Sequence, residues 1–258
     1  MARITPLLAL LPSLLPALVL AADPNPADGQ WRGNATLAIS ATSGNTRSAS
    51  VLVKADALRL TDTDKIVLGA TGNYARSRAD TVDTTTAKKA TLFGQYDYNL
   101  DRRAVVFGRM SADRDELSFL SLRLAGAAGL GWKAVNEEAT KFTLYGGVGY
   151  SSDRYSQPQT INGSSGTQFK RTNLLLAEES VHQFSPTVSF KQRFEVNPSI
   201  GGDRATLLKL TADLTVALNS TMSLNVGLID TYNTKPPAGL VRNDASFFTG
   251  LNVKFGSH

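Results

Sequence analysis

From Trp31 onward the chain alternates apolar and polar positions with period two. Trp31, Gly33, Ala35, Leu37, Ile39 and Ala41 fall on one face; Arg32, Asn34, Thr36, Ala38 and Ser40 fall on the other. An extended chain sends successive side chains to opposite faces, so this pattern predicts a strand with one apolar and one polar side. The same alternation marks Ser50–Ala57, Ile66–Tyr74, Lys89–Tyr98, Ala104–Ser111, Leu120–Trp132, Phe142–Tyr150, Val188–Val196, Leu208–Leu218, Met222–Leu228 and Phe247–Phe255. A less regular stretch, Lys170–His182, completes about twelve strands. Several run beyond the usual 5–6 residues of globular sheets and reach the roughly 9–11 that a tilted strand needs to cross a bilayer. Helical periodicity is nearly absent.

The connections alternate as well. Thr61–Asp64, Asp101–Arg103, Asn136–Glu138, Ser185–Thr187 and Asn219–Thr221 are tight turns. The other set is mostly longer: Arg76–Thr86, Ala112–Ser118, Asp153–Gln168, Asn197–Arg204 and Thr231–Asn243, with the short Ser43-Gly44-Asn45 as the exception. Short turns at one end and long loops at the other are the pattern of outer-membrane barrels. Trp31, Tyr74, Tyr96, Tyr98, Trp132, Phe142 and Tyr150 sit near strand ends on the apolar side, where an interfacial girdle requires them. The expected fold is therefore all-β: a transmembrane antiparallel up-and-down β-barrel of about twelve strands. The competing reading is a soluble sandwich or a soluble periplasmic barrel around an apolar ligand. That reading needs apolar residues inward.

Composition narrows the chemistry. In 258 residues, 42% are apolar and 19% charged, and there is no cysteine and only two histidines, His182 and His258. Disulfides, thiol nucleophiles and iron–sulfur clusters are excluded, and a multi-histidine metal site has no ligands. Mean hydropathy is -0.12, which rules out a helical membrane bundle. The first residues carry one cation, Arg3, then an apolar run from Pro6 to Leu20, then Ala21-Ala22-Asp23. That order is the order of a secretory signal, so residues 1–22 are expected to be a cleaved leader and residues 23–258 the outer-membrane barrel. The net charge of +5 is mild and forms no basic stripe interleaved with aromatics, so nucleic acid is not an expected partner.

Several stretches together resemble the DUF481 family, whose relatives include salt-induced outer-membrane proteins. They are Trp31-Arg32-Gly33-Asn34, Ser43-Gly44-Asn45-Thr46, Phe107-Gly108-Arg109, Asp113-Arg114-Asp115-Glu116-Leu117, Leu122-Arg123 and Ala127-Ala128-Gly129-Leu130-Gly131-Trp132. The resemblance spans Trp31 to Phe255. It implies an outer-membrane barrel and supplies neither a defined activity nor catalytic residues. Phe255 fits the final-strand pattern and is followed by Gly256-Ser257-His258.

Candidate chemistry is sparse. Gly44-Asn45 reads as a hairpin turn needing positive φ. The glycines of Gly126–Gly131 lie within a strand, with no helix after them, so they read as close-approach positions and not as a dinucleotide loop. Asp113-Arg114-Asp115-Glu116 reads as an internally paired loop tip, with divalent-cation or lipopolysaccharide contact as its functional alternative. His182 beside Glu178, Glu179 and Ser180 invites comparison with barrel hydrolases, but neighbours along a strand face opposite ways. No catalytic residue, metal or cofactor is expected, and the protein is read as non-enzymatic. The informative charges are on the polar face. With apolar residues toward lipid, Lys54, Lys89, Arg109, Arg123, Lys141, Lys191, Arg193, Lys209 and Lys254 point inward, joined by Asp56, Asp97, Glu195, Asp213 and Asp244. Paired ladders would narrow the lumen; the cationic excess of nine against five would alternatively select anions. The protein is then a small channel or an envelope-integrity component, linked by the family resemblance to salt or osmotic stress. Its partners would be outer-membrane lipid, lipopolysaccharide and, during insertion, the barrel-assembly machinery.

Overall fold

The computed structural model describes residues 27–42, 46–79, 82–202 and 205–256. The expected leader and the first hairpin turn, Ser43-Gly44-Asn45, lie outside the described residues. Twelve strands follow one another: β1 (Trp31–Thr42), β2 (Thr46–Leu60), β3 (Asp64–Ala79), β4 (Val82–Asn99), β5 (Ala104–Asp115) and β6 (Leu120–Asn136). The second half contains β7 (Thr140–Ile161), β8 (Ser164–Ser185), β9 (Val188–Gly202), β10 (Thr206–Ala217), β11 (Met222–Asn233) and β12 (Asn243–Gly256). Each strand pairs antiparallel with its sequence neighbours, and β1 pairs with β12, so the sheet closes. Closure removes the unpaired edge that an open sheet would present. The all-β, twelve-stranded barrel expected from the alternation is the fold observed.

Alternation decides which face each side chain takes. Leu37, Ile39, Val53, Leu68, Leu92, Val106, Leu124, Leu130, Val148, Leu176 and Leu251 all point outward and are exposed, Ile39 at 68% and Val148 at 59%. Inward lie Thr36, Gln95, Asp97, Ser151, Asp153, Arg171, Arg193, Glu195, Asn225 and Asn252, all buried. This is the reverse of a soluble barrel. Trp31, Tyr74, Tyr96, Tyr98, Trp132 and Tyr150 also face outward, each between 43% and 50% exposed.

The tight turns are held by side-chain caps. Asp101 accepts from the backbone N–H groups of Arg103 and Ala104, both at 2.7 Å, and Asn219 accepts from those of Thr221 and Met222 at 2.9 and 2.7 Å. These are turns closed by a side-chain oxygen acting in place of a backbone carbonyl. The backbone donors, Ala104 first and then Arg103, hold the Asp101 carboxyl below its ordinary range.

The opposite end departs from expectation. Most of the predicted long loops are strand. β7 and β8 each run 22 residues and meet at Asn162-Gly163, whose φ values of 50° and 85° suit a two-residue hairpin turn. The stretch Arg76–Thr86 is mostly β3 and β4, interrupted by a bulge at Ala75/Arg76. β9 continues to Gly202. The segment between β11 and β12, residues 234–242, remains a connection without strand. Polar residues on the outer face mask strand in these stretches: beyond the apolar belt that face is wet, so the outward apolar set stops while pairing continues and the inner face stays buried.

Replacing Leu124 or Val148 with Arg places a cation on the outward apolar face. Each should lower barrel stability by about 2–4 kcal/mol near a bilayer midplane, whereas Arg at the inward Thr143 should be better tolerated. Heat-modifiable migration of the refolded barrel measures this, and equal tolerance at all three positions would contradict the facing.

Candidate functional site: the filled lumen

The interior is crossed by ion pairs between strands far apart around the wall. Lys54 of β2 donates to Asp213 of β10 at 2.6 Å, with Asp56 3.7 Å away. Lys65 of β3 lies 3.1 Å from Glu179 of β8 and 3.1 Å from Asp97 of neighbouring β4. Arg109 of β5 stands 3.5 Å from Glu195 of β9, and Lys209 of β10 stands 3.5 Å from Asp113 of β5. Near the long-strand mouth Lys89 of β4 meets Asp244 of β12, with Asp115 at 3.4 Å. These five links join strands four or five places apart in the closed order. Each therefore spans the lumen rather than lying along the wall.

Secondary contacts stiffen the web. Tyr145 donates to Asp97 at 3.0 Å. Arg193 donates to Glu195 at 2.6 Å and to Glu179 at 3.3 Å, with its guanidinium 5.1 Å from the Tyr145 ring centre. Arg109 donates to Gln95 at 3.2 Å and stacks 4.6 Å over Phe93. Arg123 grips Asp153 with two hydrogen bonds of 2.7 Å, and Arg171 donates to the same carboxylate. Asp153 is fully buried. The bidentate geometry is the strong form of a guanidinium–carboxylate pair.

Apolar side chains fill what the charges leave. Val105, Phe107, Tyr145, Leu175 and Ala177 form a buried cluster on β5, β7 and β8, with Phe107 and Tyr145 edge to face at 5.3 Å. Ala38, Leu52 and Phe248 form another, and Leu120, Tyr155, Ile161 and Phe169 a third toward the long strands. Three inward aromatics lie over glycines. A Cβ added at Gly69 would meet the Phe93 ring at 2.2 Å, one at Gly227 the Phe248 ring at 2.2 Å, and one at Gly147 the Phe107 ring at 3.1 Å. The missing side chain leaves the hollow that the ring occupies. The Gly126–Gly131 stretch is strand β6, and its glycines serve close approach: a Cβ on Gly129 would sit 2.2 Å from the Gly146 carbonyl oxygen.

The inward charges expected from alternation take these places with some revision. Lys54, Asp56, Lys89, Asp97, Arg109, Arg123, Arg193, Glu195, Lys209, Asp213 and Asp244 are members of the web. Lys191 is exposed near the turn end of β9, with Lys141 two strands away, each paired in register with Val181. Lys254 is half-buried on β12, in register with inward Asn34. Asp113 is not at a loop tip. It is an inward residue of β5, taking a hydrogen bond from Thr91 at 3.0 Å, while Arg114 and Glu116 pair with each other at the exposed end. The Glu178-Glu179-Ser180 run divides by face: Glu179 enters the lumen web, and Glu178 turns outward to accept from Gln192 at 2.5 Å. His182 stacks with Phe184 and Phe190 and lies 3.4 Å from the Thr140 hydroxyl. Among the described residues no group of three or more His, Asp or Glu is placed to hold a metal ion.

Lys65, Asp153, Arg171 and Glu179 were not foreseen. Asp153 falls in a stretch that reads as loop, Arg171 and Glu179 in the less regular Lys170–His182, and Lys65 between the Thr61–Asp64 turn and the strand read from Ile66. The inner parity does continue there: Ser151 and Asp153 follow Gly147 and Gly149, and Arg171 shares a face with Leu175, Ala177 and Glu179. Counted over every pair above, the web holds eight cations, Lys54, Lys65, Lys89, Arg109, Arg123, Arg171, Arg193 and Lys209, against nine carboxylates, Asp56, Asp97, Asp113, Asp115, Asp153, Glu179, Glu195, Asp213 and Asp244. The ion pairs therefore carry no excess of cations, in contrast to the nine against five expected from the alternation.

This is a closed antiparallel barrel with an apolar exterior and a charged, largely filled interior. The chain belongs to the family described as "Protein of unknown function, DUF481", whose model matches residues 35–255. It is similar to "Uncharacterized protein YdiY" of Escherichia coli (strain K12), 25% identical over 223 residues, covering 83% of this chain and 79% of that protein. Among solved structures it is similar to the COG4313 outer membrane channel from Pseudomonas putida F1, with a TM-score of 0.48 and 14% identity over 94% of this chain and 100% of that one. The translocator domain of the autotransporter NalP from Neisseria meningitidis has a TM-score of 0.45 and 11% identity, covering 88% of each chain.

The glycine–aromatic packing is testable. Gly129→Ala forces a methyl into the Gly146 carbonyl, whereas Gly146→Ala on the outer face meets nothing within 4 Å. The first should cost about 1–3 kcal/mol, the range of overpacked cores, and the second far less. Urea unfolding in detergent compares them.

Proposed function

We propose that the protein is an outer-membrane barrel that is closed at rest, an envelope-integrity component rather than an open diffusion pore, with no enzymatic role. The membrane reading is supported by the outward apolar belt with its exposed tryptophans and tyrosines, in the arrangement expected of a bilayer-facing wall. Outer-membrane lipid and lipopolysaccharide would surround it, the barrel-assembly machinery would insert it, and the leader at residues 1–22 would direct its export. The family resemblance adds a role in salt or osmotic stress.

The observation that carries the closed reading is the set of five cross-lumen ion pairs. Twelve tilted strands enclose a wider interior than eight, whose lumen side chains just fill. Here long Lys and Arg side chains reach carboxylates on the opposite wall, and Phe93, Phe107, Tyr145 and Phe248 occupy the remaining space. Removing one partner of such a pair is costly because it leaves the other a partly buried charge without compensation.

Planar-bilayer recording tests this. The folded wild type should be electrically silent. Removing two crossings together, with Lys65→Ala, Glu179→Ala, Arg109→Ala and Glu195→Ala, should produce discrete conductance steps. Steady conductance from the wild type, with chloride preferred over potassium, would instead support a small anion-selective channel and overturn the closed reading.

A further inference from the structure

A cavity of about 70 Å³ lies inside the barrel, and Arg109, Arg123, Arg171 and Lys209 line it together with Asp113 and Glu195. Four cations thus face two carboxylates. Asp153, clamped between Arg123 and Arg171, adds one negative charge from behind. The local balance is one positive charge in excess, although the web as a whole, eight cations against nine carboxylates, carries no such excess. Lys209 has donors to spare: its side chain is 30% exposed, its ammonium has three N–H donors, and its acceptor, Asp113, is at the long distance of 3.5 Å.

We infer that this cavity is a binding site for one small monovalent anion of the halide type. Its size fits: water occupies about 30 Å³ in the liquid, so the space takes a monatomic anion with a water beside it, whereas a bulky organic anion is too large for it. Its charge fits too, because one negative charge neutralises the excess. Its donors also fit, since Lys209 and three guanidinium groups line it with Ser111, Ser151 and Asn173, while its carboxylates, Asp113 and Glu195, are engaged by Lys209 and by Arg109 and Arg193. The site would hold a resident ion that completes the ion-pair web. The inference needs only the cavity and its charge, so a bilayer recording bears on the closed lumen and not on this site.

The probes are chloride and bromide, compared with gluconate at matched ionic strength. The thermal midpoint of the folded barrel, read by heat-modifiable migration, should rise saturably with either halide and not with gluconate. Bromide should give an anomalous-scattering peak among Arg109, Arg171 and Lys209 in crystals. Lys209→Met should weaken the apparent halide affinity by about tenfold, the size of one charge-assisted hydrogen bond. Asp113→Asn, which deletes a carboxylate and adds to the positive excess, should strengthen it. These two variants move in opposite directions, so if either fails to fold the other decides. Equal stabilisation by gluconate and halide would reduce the effect to screening and overturn the inference. So would halide affinity unchanged by Lys209→Met or weakened by Asp113→Asn.

Discussion

The structure depends on one constraint: charges placed on the inner face of a closed sheet must find partners across the lumen. Apolar residues take the outer face, so polar and charged residues have nowhere else to point. Along one strand, like-facing neighbours are two residues apart and neighbouring strands about 4.8 Å away, and some charges are satisfied locally in that way, as Arg193 is by Glu195. Lys54, Lys65, Arg109 and Lys209 instead reach the far wall. Strand number sets the barrel's cross-section, and the reach of those side chains sets how much of it they fill.

Glycine and aromatic residues complete that arrangement. At two inward glycines a ring from the neighbouring strand lies over the bare backbone, Phe93 on Gly69 and Phe248 on Gly227. The ring then offers its face to the charges, and Arg109 over Phe93 at 4.6 Å is a cation–π contact inside the lumen. Apolar and ionic filling are therefore coupled: removing the ring would loosen the guanidinium that bridges to Glu195.

Much of the fold was legible in the alternation of residues. The outward set was legible because Leu, Val, Tyr and Trp recur at every second position through the belt. The number of strands was legible because the turns of one end carry Asp, Asn and Pro at regular intervals. The long strands were not, because Asp153–Gln168 has no outward apolar residues and reads as loop until its Asn162-Gly163 turn is recognised. Phe93 sat visibly on the polar face, but its role there did not, since the glycine it covers is 24 positions earlier, on another strand. Nor did the sequence show which carboxylate each cation meets. Lys65 and Glu179 are 114 residues apart, and only the closed register brings them together.

The cross-lumen pairing is tested most directly by a double-mutant cycle on Lys54 and Asp213, 159 residues apart and joined by a single hydrogen bond between β2 and β10. Unfolding free energies of the wild type, Lys54→Met, Asp213→Asn and the double variant would be measured in the same detergent. The predicted result is a coupling energy of about 1–3 kcal/mol, with the double variant more stable than the two single losses added together. Single costs that add to within about 0.3 kcal/mol would mean that the two side chains do not meet across the lumen, and would contradict the account.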